Sequence, residues 1–544
     1  MTLGGGARLP LRQRLVVADG ASAALVGSDG TIDWWCPERL DGPPLFWRLL
    51  DPEGAALRVG PAGPSHQSLA YEGDTLVART LHDTVTGALE VVDLLDGGLL
   101  RVATVVKGEV DLEVVIAPGK AWRRSTRFDP FDGGVAFDGW VLRAPGLAFT
   151  RSPDGARAVA HLVSGERVVV SLDRSGVPER AERDALDRLD RQRERWRRLA
   201  ARTLYAGPGS AAVRRSALLV SAVPTRSATT SLTVPGREEQ AADSRHTFVS
   251  DACGAYHLLG ELGHQEAAAE ALSWLSRVVL RGWPVPSACT LEGEPGAVAE
   301  DRERLAGWKG APVRVGIRSE RPVVDLDVPG ALATVIEPLA AERWSALVRI
   351  ADGVADAVPG SLVEQARCWA FLDEADGVGR ARNPLDLDAA AWHAAATPLR
   401  RGVEAGLAQA PRARAAQQLG ERGALGSDPR LLRLSWQSPF PGDHPLVASA
   451  VDHVLERRAE GPFVHSAEGA SWAASLWAVR AEATLGRWEA AHERFERLLD
   501  WAGPAALLPR AAEPASGRFA GDLPDAPAHL ALLAAARTLA AGPR

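Results

Sequence analysis

The feature that most constrains this chain is a change of hydrophobic period near residue 178. Between about residues 10 and 175, short β-favouring runs alternate with turn signals, as in "AALVGSDGTIDWW", "TLVARTLHDTVTGALEVVDLL", "LLRVATVVKGEVDLEVVIAP" and "ERVVVSLD". Turns recur every 8–12 residues or so, the spacing of an antiparallel sandwich. The segment 178–202, "PERAERDALDRLDRQRERWRRLAAR", then places Leu186, Leu189, Trp196 and Leu199 on one stripe among dense charges. That is an amphipathic helix, opened by Pro178, whose charged face is solvated. Beyond about residue 208 alanine-rich helical segments follow one another, with Gly, Pro, Trp and Asp in the connections. No fixed repeat length is visible, so a closed ring of paired helices is expected rather than an open solenoid.

At 544 residues the chain exceeds what one core usually serves. A division into a sandwich at 1–177, a linker helix at 178–207 and a helical toroid at 208–544 follows from the periods. The net charge of −7, with arginines interleaved among Asp and Glu, argues against a nucleic-acid partner. No run of about 18 apolar residues exists, which argues against a membrane span, and the start "MTLGGGARLP" lacks a basic region followed by an apolar one, so a cytoplasmic location is expected. Cys36, Cys253, Cys289 and Cys368 are far apart, without a C-x-x-C pair or histidines at ligand spacing. They read as buried thiols, and neither a metal nor a cofactor is expected. The oligomeric state cannot be read.

The stretch 23–41 carries Ala23-Ala24-Leu25-Val26-Gly27, Asp29-Gly30-Thr31-Ile32-Asp33-Trp34, Cys36 and Asp41. Further on stand Gly307-Trp308-Lys309-Gly310 through Gly316, Leu326-Asp327-Val328-Pro329-Gly330, Glu468-Gly469-Ala470, and Leu507-Leu508 to His529-Leu530. In these motifs the chain resembles glycoside hydrolase family 15, the bacterial glucoamylase and trehalase-like proteins. The resemblance implies an N-terminal antiparallel β-sandwich followed by an (α/α)6 six-hairpin toroid whose mouth holds the sugar. It also implies inverting hydrolysis of α-glucosidic bonds, which needs an acid and a base with carboxyls about 6.5–9.5 Å apart.

The same resemblance shows two departures. The family base falls at Arg510, next to Ala511 in place of a second glutamate, while Glu513 stands at the family's Asp position. An arginine cannot accept a proton at physiological pH. Of the segment that carries the acid only the tail is visible, in Cys368-Trp369 to Ala375, and the acid loop is missing. Hydrolysis is therefore expected to be impaired, leaving a saccharide-binding or regulatory scaffold. One alternative is an active α-glucosidase or trehalase with relocated carboxylates, for which Glu364, Glu468 and Glu513 are the candidates, although Glu364 also reads as a surface residue of a helix. Another is an α-glucoside phosphorylase in which Arg510 holds phosphate.

Sugar contacts are expected from Asp243, Arg245 and Asp251, which survive from the family's sugar-binding segment, whereas Ala241, Ala242 and Ser250 depart from it. Ser250 or Asp251 also fits a helix N-cap. Trp308, Lys309, Glu468 and Trp34 complete the expected substrate-binding set. Among the 17 tryptophans, Trp34, Trp35, Trp308 and Trp436 fall in loop-like contexts and are candidate stacking platforms. Trp274, Trp344, Trp477 and Trp488 lie in helical stripes and read as core, as does His529.

Overall fold

The computed structural model describes residues 8–153, 155–177, 182–232, 243–317, 325–408, 427–437, 440 and 442–542. Pro178, Ala241 and Ala242 lie outside the described residues.

The N-terminal part is built around one strand, Leu99–Ala117, long enough to serve two antiparallel sheets. Its first half pairs with Gly87–Leu95 and Arg167–Arg174; its second half pairs with Ala56–Pro61 and Gly155–Val163. Gly108 stands at the crossover with a φ of 66°, where a Cβ would lie 2.1 Å from the Thr86 carbonyl oxygen, so only glycine serves. Alternating Val and Leu from both sheets share one apolar core, in keeping with the twofold side-chain period. Thr31–Cys36, the strand that contains the Asp-Trp-Trp-Cys cluster, is buried along its whole length.

Helix α1, Glu182–Ala201, connects the two parts and buries Ala185, Leu189, Trp196 and Ala200. The helices that follow are α2 (Ser210–Ala222), α3 (Val249–Glu261), α4 (Gln265–Val279), α5 (Asp327–Leu332), α6 (Ile336–Ala355), α7 (Leu362–Arg382) and α8 (Leu387–Ala408). After them come α9 (Leu434–Gln437, preceded by a 3-10 turn over Pro429–Arg433), α10 (Pro445–Arg458), α11 (Trp472–Thr484), α12 (Trp488–Ala502) and α13 (Ala526–Ala541). Six of them form an inner ring, each touching the next: α3, α5, α7, α9 with its 3-10 turn, α11, α13 and back to α3. The other six, α2, α4, α6, α8, α10 and α12, pack outside. A small five-stranded sheet, from Ala459–Glu460 to Arg518–Ala520, lies among the connections.

Among the described residues no helix is long and apolar enough to cross a membrane, and no group of three or more His, Cys, Asp and Glu could hold a metal ion. All four cysteines are buried free thiols.

Candidate active site

Closing the ring leaves a central cavity of about 1380 Å³ walled by the inner helices. The end from which α3 and α5 start carries Arg226, Ser250, Asp251, Asp325 and Asp327; the opposite end carries His257, Glu261 and Arg537. Asp251 is the third residue of α3, whose N-cap is Phe248 and makes no side-chain capping bond. The capping role considered for Ser250 or Asp251 is therefore not used. Asp251 is instead held by Arg226, at 2.8 Å from Nε and 3.2 Å from Nη2. Asp325, neighbour to Asp327, is raised above the ordinary carboxylate range because burial penalises its charge, and the charge of Asp327 adds to the effect.

Arg510 lies beside this end of the barrel. It donates to Ser244 Oγ at 2.6 Å and Asp522 Oδ2 at 3.1 Å, and its Nε is 3.5 Å from Asp525 Oδ1 and 3.7 Å from Glu468 Oε2. Burial opposes the guanidinium charge, but Asp522, Glu468 and Asp525 together raise its pKa above the ordinary value. Asp525 caps α13 by accepting from Ala528 N at 3.1 Å. Burial pushes its carboxyl up to about 6, against the pull of Arg510 and Arg226. Its Nε and Nη2 are thus held by the protein, and the three carboxylates around it oppose the approach of a phosphate.

The other expected residues separate into distinct environments. Asp243 and Arg245 form a completely buried bidentate pair, with Nη2 to Oδ2 at 2.7 Å, and Arg245 Nη1 also reaches the Gly42 carbonyl at 2.6 Å. Gly316 N donates to Asp243 at 3.2 Å. This pair pins a barrel loop to the β-domain, and with no exposed polar atom it cannot touch a sugar. Trp34 is fully buried, its Nε1 donating to Ala228 O at 2.7 Å, and Trp35 is core as well. A ring with no open face cannot serve as a platform, because its apolar surface is already spent on packing. Trp34, Asp41 and Gly42 thus help to join the two domains, whereas Asp33 and Trp35 are used inside the β-domain, on Arg14 and Trp140.

Trp308 is buried, 6% exposed, against the β-domain core, so it too lacks a free face. Lys309 and Glu513 pair with each other at 3.2 Å on the outside. Glu364 is the third residue of α7 and closes a capping box: its Oε2 accepts from Gly360 N at 2.8 Å and Ser361 N at 2.9 Å, while Ser361 Oγ accepts from Glu364 N. Among the described lining residues of the central cavity, Glu364, Glu468 and Glu513 do not occur. His529 is fully buried, with Nδ1 2.9 Å from Ser216 Oγ and Nε2 accepting from Leu508 N, and burial pushes its pKa down to about 3.

Trp477 and Trp488, both read as core, instead line the cavity together with Trp436. Trp436 does so from helix α9 rather than from a loop. Trp274 and Trp344 are packing residues, Trp344 meeting Trp392 edge-on. Sequence reasoning missed Arg226, Asp325, Arg367 and Arg430 as cavity residues. Asp327 was within a quoted motif, and Asp325 two residues before it was the available signal.

Residues 2–198 match the family model described as trehalase-like, N-terminal. Over 620 aligned positions the chain is 25% identical to trehalase from Mycolicibacterium smegmatis, covering 96% of this chain and 90% of that protein. The corresponding figures for trehalase from Mycobacterium tuberculosis are 25%, 96% and 88%. A crystal structure of bacterial glucoamylase complexed with acarbose superposes with a TM-score of 0.67 at 11% identity, covering 99% of this chain and 97% of that one. The chain therefore resembles the trehalase-like and glucoamylase-like glycosidases throughout its length. Its fold is theirs: an antiparallel β-domain followed by an α/α toroid.

Proposed function

We propose that this protein binds an α-glucoside, of the trehalose or maltose type, in the central cavity of its toroid, and that hydrolysis is lost or strongly reduced. The observation that carries this reading is Arg510, a locked cation where the family resemblance places the general base. A guanidinium cannot take a proton from water, and its charge opposes the positive charge that develops on a sugar ring during cleavage. The three carboxylates that could have relocated are committed elsewhere: Glu364 caps a helix, Glu513 pairs with Lys309, and Glu468 leans on Arg510.

The test pairs calorimetry with trehalose, maltose and acarbose against a glucose-release assay on the same preparation. Binding with turnover below about 10⁻³ s⁻¹ is expected, since an acid and a base each contribute about 10²–10⁴-fold. Turnover of about 1 s⁻¹ or more, or no binding of any of the three, overturns the proposal. Arg510→Glu is expected to leave turnover low, because it supplies a base without an acid.

One observation favours a second reading, an active hydrolase: Asp325, with its raised pKa, shares the cavity with a second carboxyl, Asp251. An acid and a base would then be present, although Arg226 engages Asp251 at two oxygens and weakens it as a base. Loss of measured turnover in Asp325→Asn is the result that would support it.

A further inference from the structure

The cavity wall holds a reciprocal arrangement of arginine and tryptophan. In sequence it is a mirrored pair, Arg433-Leu-Ser-Trp436 and Trp477-Ala-Val-Arg480. Arg433 closes the 3-10 turn that leads into α9, and Trp436 is one residue from that helix's end; Trp477 and Arg480 are on α11, the next inner element around the ring. The Arg433 guanidinium lies 5.1 Å from the Trp477 ring and the Arg480 guanidinium 4.5 Å from the Trp436 ring. All four side chains line the cavity.

What sets these two arginines apart is what they lack. Four other arginines of the lining each meet a carboxylate: Arg226 meets Asp251, Arg367 and Arg430 meet Asp327, and Arg537 meets Glu261. Among the described residues neither Arg433 nor Arg480 forms an ion pair or donates a side-chain hydrogen bond. Asp325 and Asp443 also line the cavity, but Asp325 accepts from Asp327 N and Asp443 is solvent-exposed. A guanidinium carries five N–H donors, and a tryptophan face accepts none of them as a hydrogen bond. Burial lowers the Arg433 pKa, with the charges of Arg367 and Arg430 adding to the effect and those of Asp327 and Asp251 opposing it, while burial alone pushes Arg480 down to about 10. A cation–π contact returns only a small part of what desolvating a guanidinium costs.

Resting on the reading of this cavity as a saccharide site, we infer that Arg433 and Arg480 form an anion subsite in the barrel wall that takes the phosphate group of a phosphorylated sugar. Two planar forks held on neighbouring inner elements suit a phosphate monoester, which accepts bidentately. The Trp436 and Trp477 rings next to them supply apolar wall for the sugar that carries it.

The experiment is titration calorimetry at low ionic strength with glucose 6-phosphate, glucose, inorganic phosphate and trehalose, on the full-length protein and on Arg433→Met, Arg480→Met and Arg480→Lys. Glucose 6-phosphate is expected to bind at least about tenfold tighter than glucose or inorganic phosphate. Either methionine variant should abolish that preference, and Arg480→Lys should retain part of it. Equal affinity for glucose and glucose 6-phosphate overturns the inference, even if trehalose binds and the cavity keeps its saccharide role. Inorganic phosphate binding as tightly as the sugar phosphate also overturns it, as a site for bare anions. Variants that melt at lower temperature yet keep the preference show the arginines to be interhelical staples. Should Arg433→Met fail to fold, Arg480→Met and Arg480→Lys decide the matter alone.

Discussion

Two groups of arginine in one barrel follow opposite logics. Arg510 touches three carboxylates and a serine hydroxyl, so its charge is compensated by the protein itself. Arg433 and Arg480 lie over aromatic rings and, among the described residues, make no ion pair. A buried ion cluster is a structural commitment, because removing one member strands the others. A half-buried cation without an ion pair carries a desolvation cost that a ligand of opposite charge would offset.

The sharpest way to break this contrast is Arg510→Met. It strands Asp522 and Asp525 in a water-poor site and should destabilise the protein by about 3–5 kcal/mol, read as a large drop in denaturation midpoint. A loss below about 1 kcal/mol would mean that the cluster is not the anchor described. Next in size is the titration of Asp525. Its folded pKa of about 6 lies above its ordinary 3.8, so the folded state holds the proton more tightly than the unfolded chain. Its contribution is therefore most favourable below pH 3.8 and is lost as pH rises through 6, by about 3 kcal/mol at 1.36 kcal/mol per unit. Asp525→Asn, which keeps a good N-cap, should flatten that segment of the stability curve; the same slope in both proteins would contradict it.

In the opposite cluster, Arg433→Met and Arg480→Met should shift stability by no more than about 1–2 kcal/mol in either direction, since a cation–π contact and a desolvated charge are removed together. A loss as large as that of Arg510→Met would erase the distinction between the two groups. The smallest effect is expected from Glu364→Ala, about 1 kcal/mol from the lost capping box, with saccharide binding unchanged. A change in binding without a change in stability would return Glu364 to the site.

Much of the architecture was legible because period is a local property: alternation at two residues writes strands, and recurrence at three to four writes helices. The N-terminal sheets, α1 and the helical ring all follow from it. The site was less legible. Asp243, Arg245 and Trp34 have the residue types that hold sugars, yet they are also the types that tie two domains together, and burial alone separates the uses. Trp477 and Trp488 looked like core because a helical stripe facing a cavity has the same spacing as one facing a neighbour. Only the arginine at position 510 could be read directly, since no environment turns a guanidinium into a base.

By itself the sequence determined the order of sheet and helix, the resemblance to trehalase-like glycosidases and the presence of an arginine at position 510, all of which depend on residue type and short-range spacing. The tertiary structure alone decided which charges meet. Arg510 finds Asp522 nearby in the chain, but Ser244 and Glu468 reach it only because the barrel closes. Arg433 and Trp477 are brought together by that same closure. Whether an arginine is compensated depends on distance in space and access to water, and neither is written in the chain until it folds.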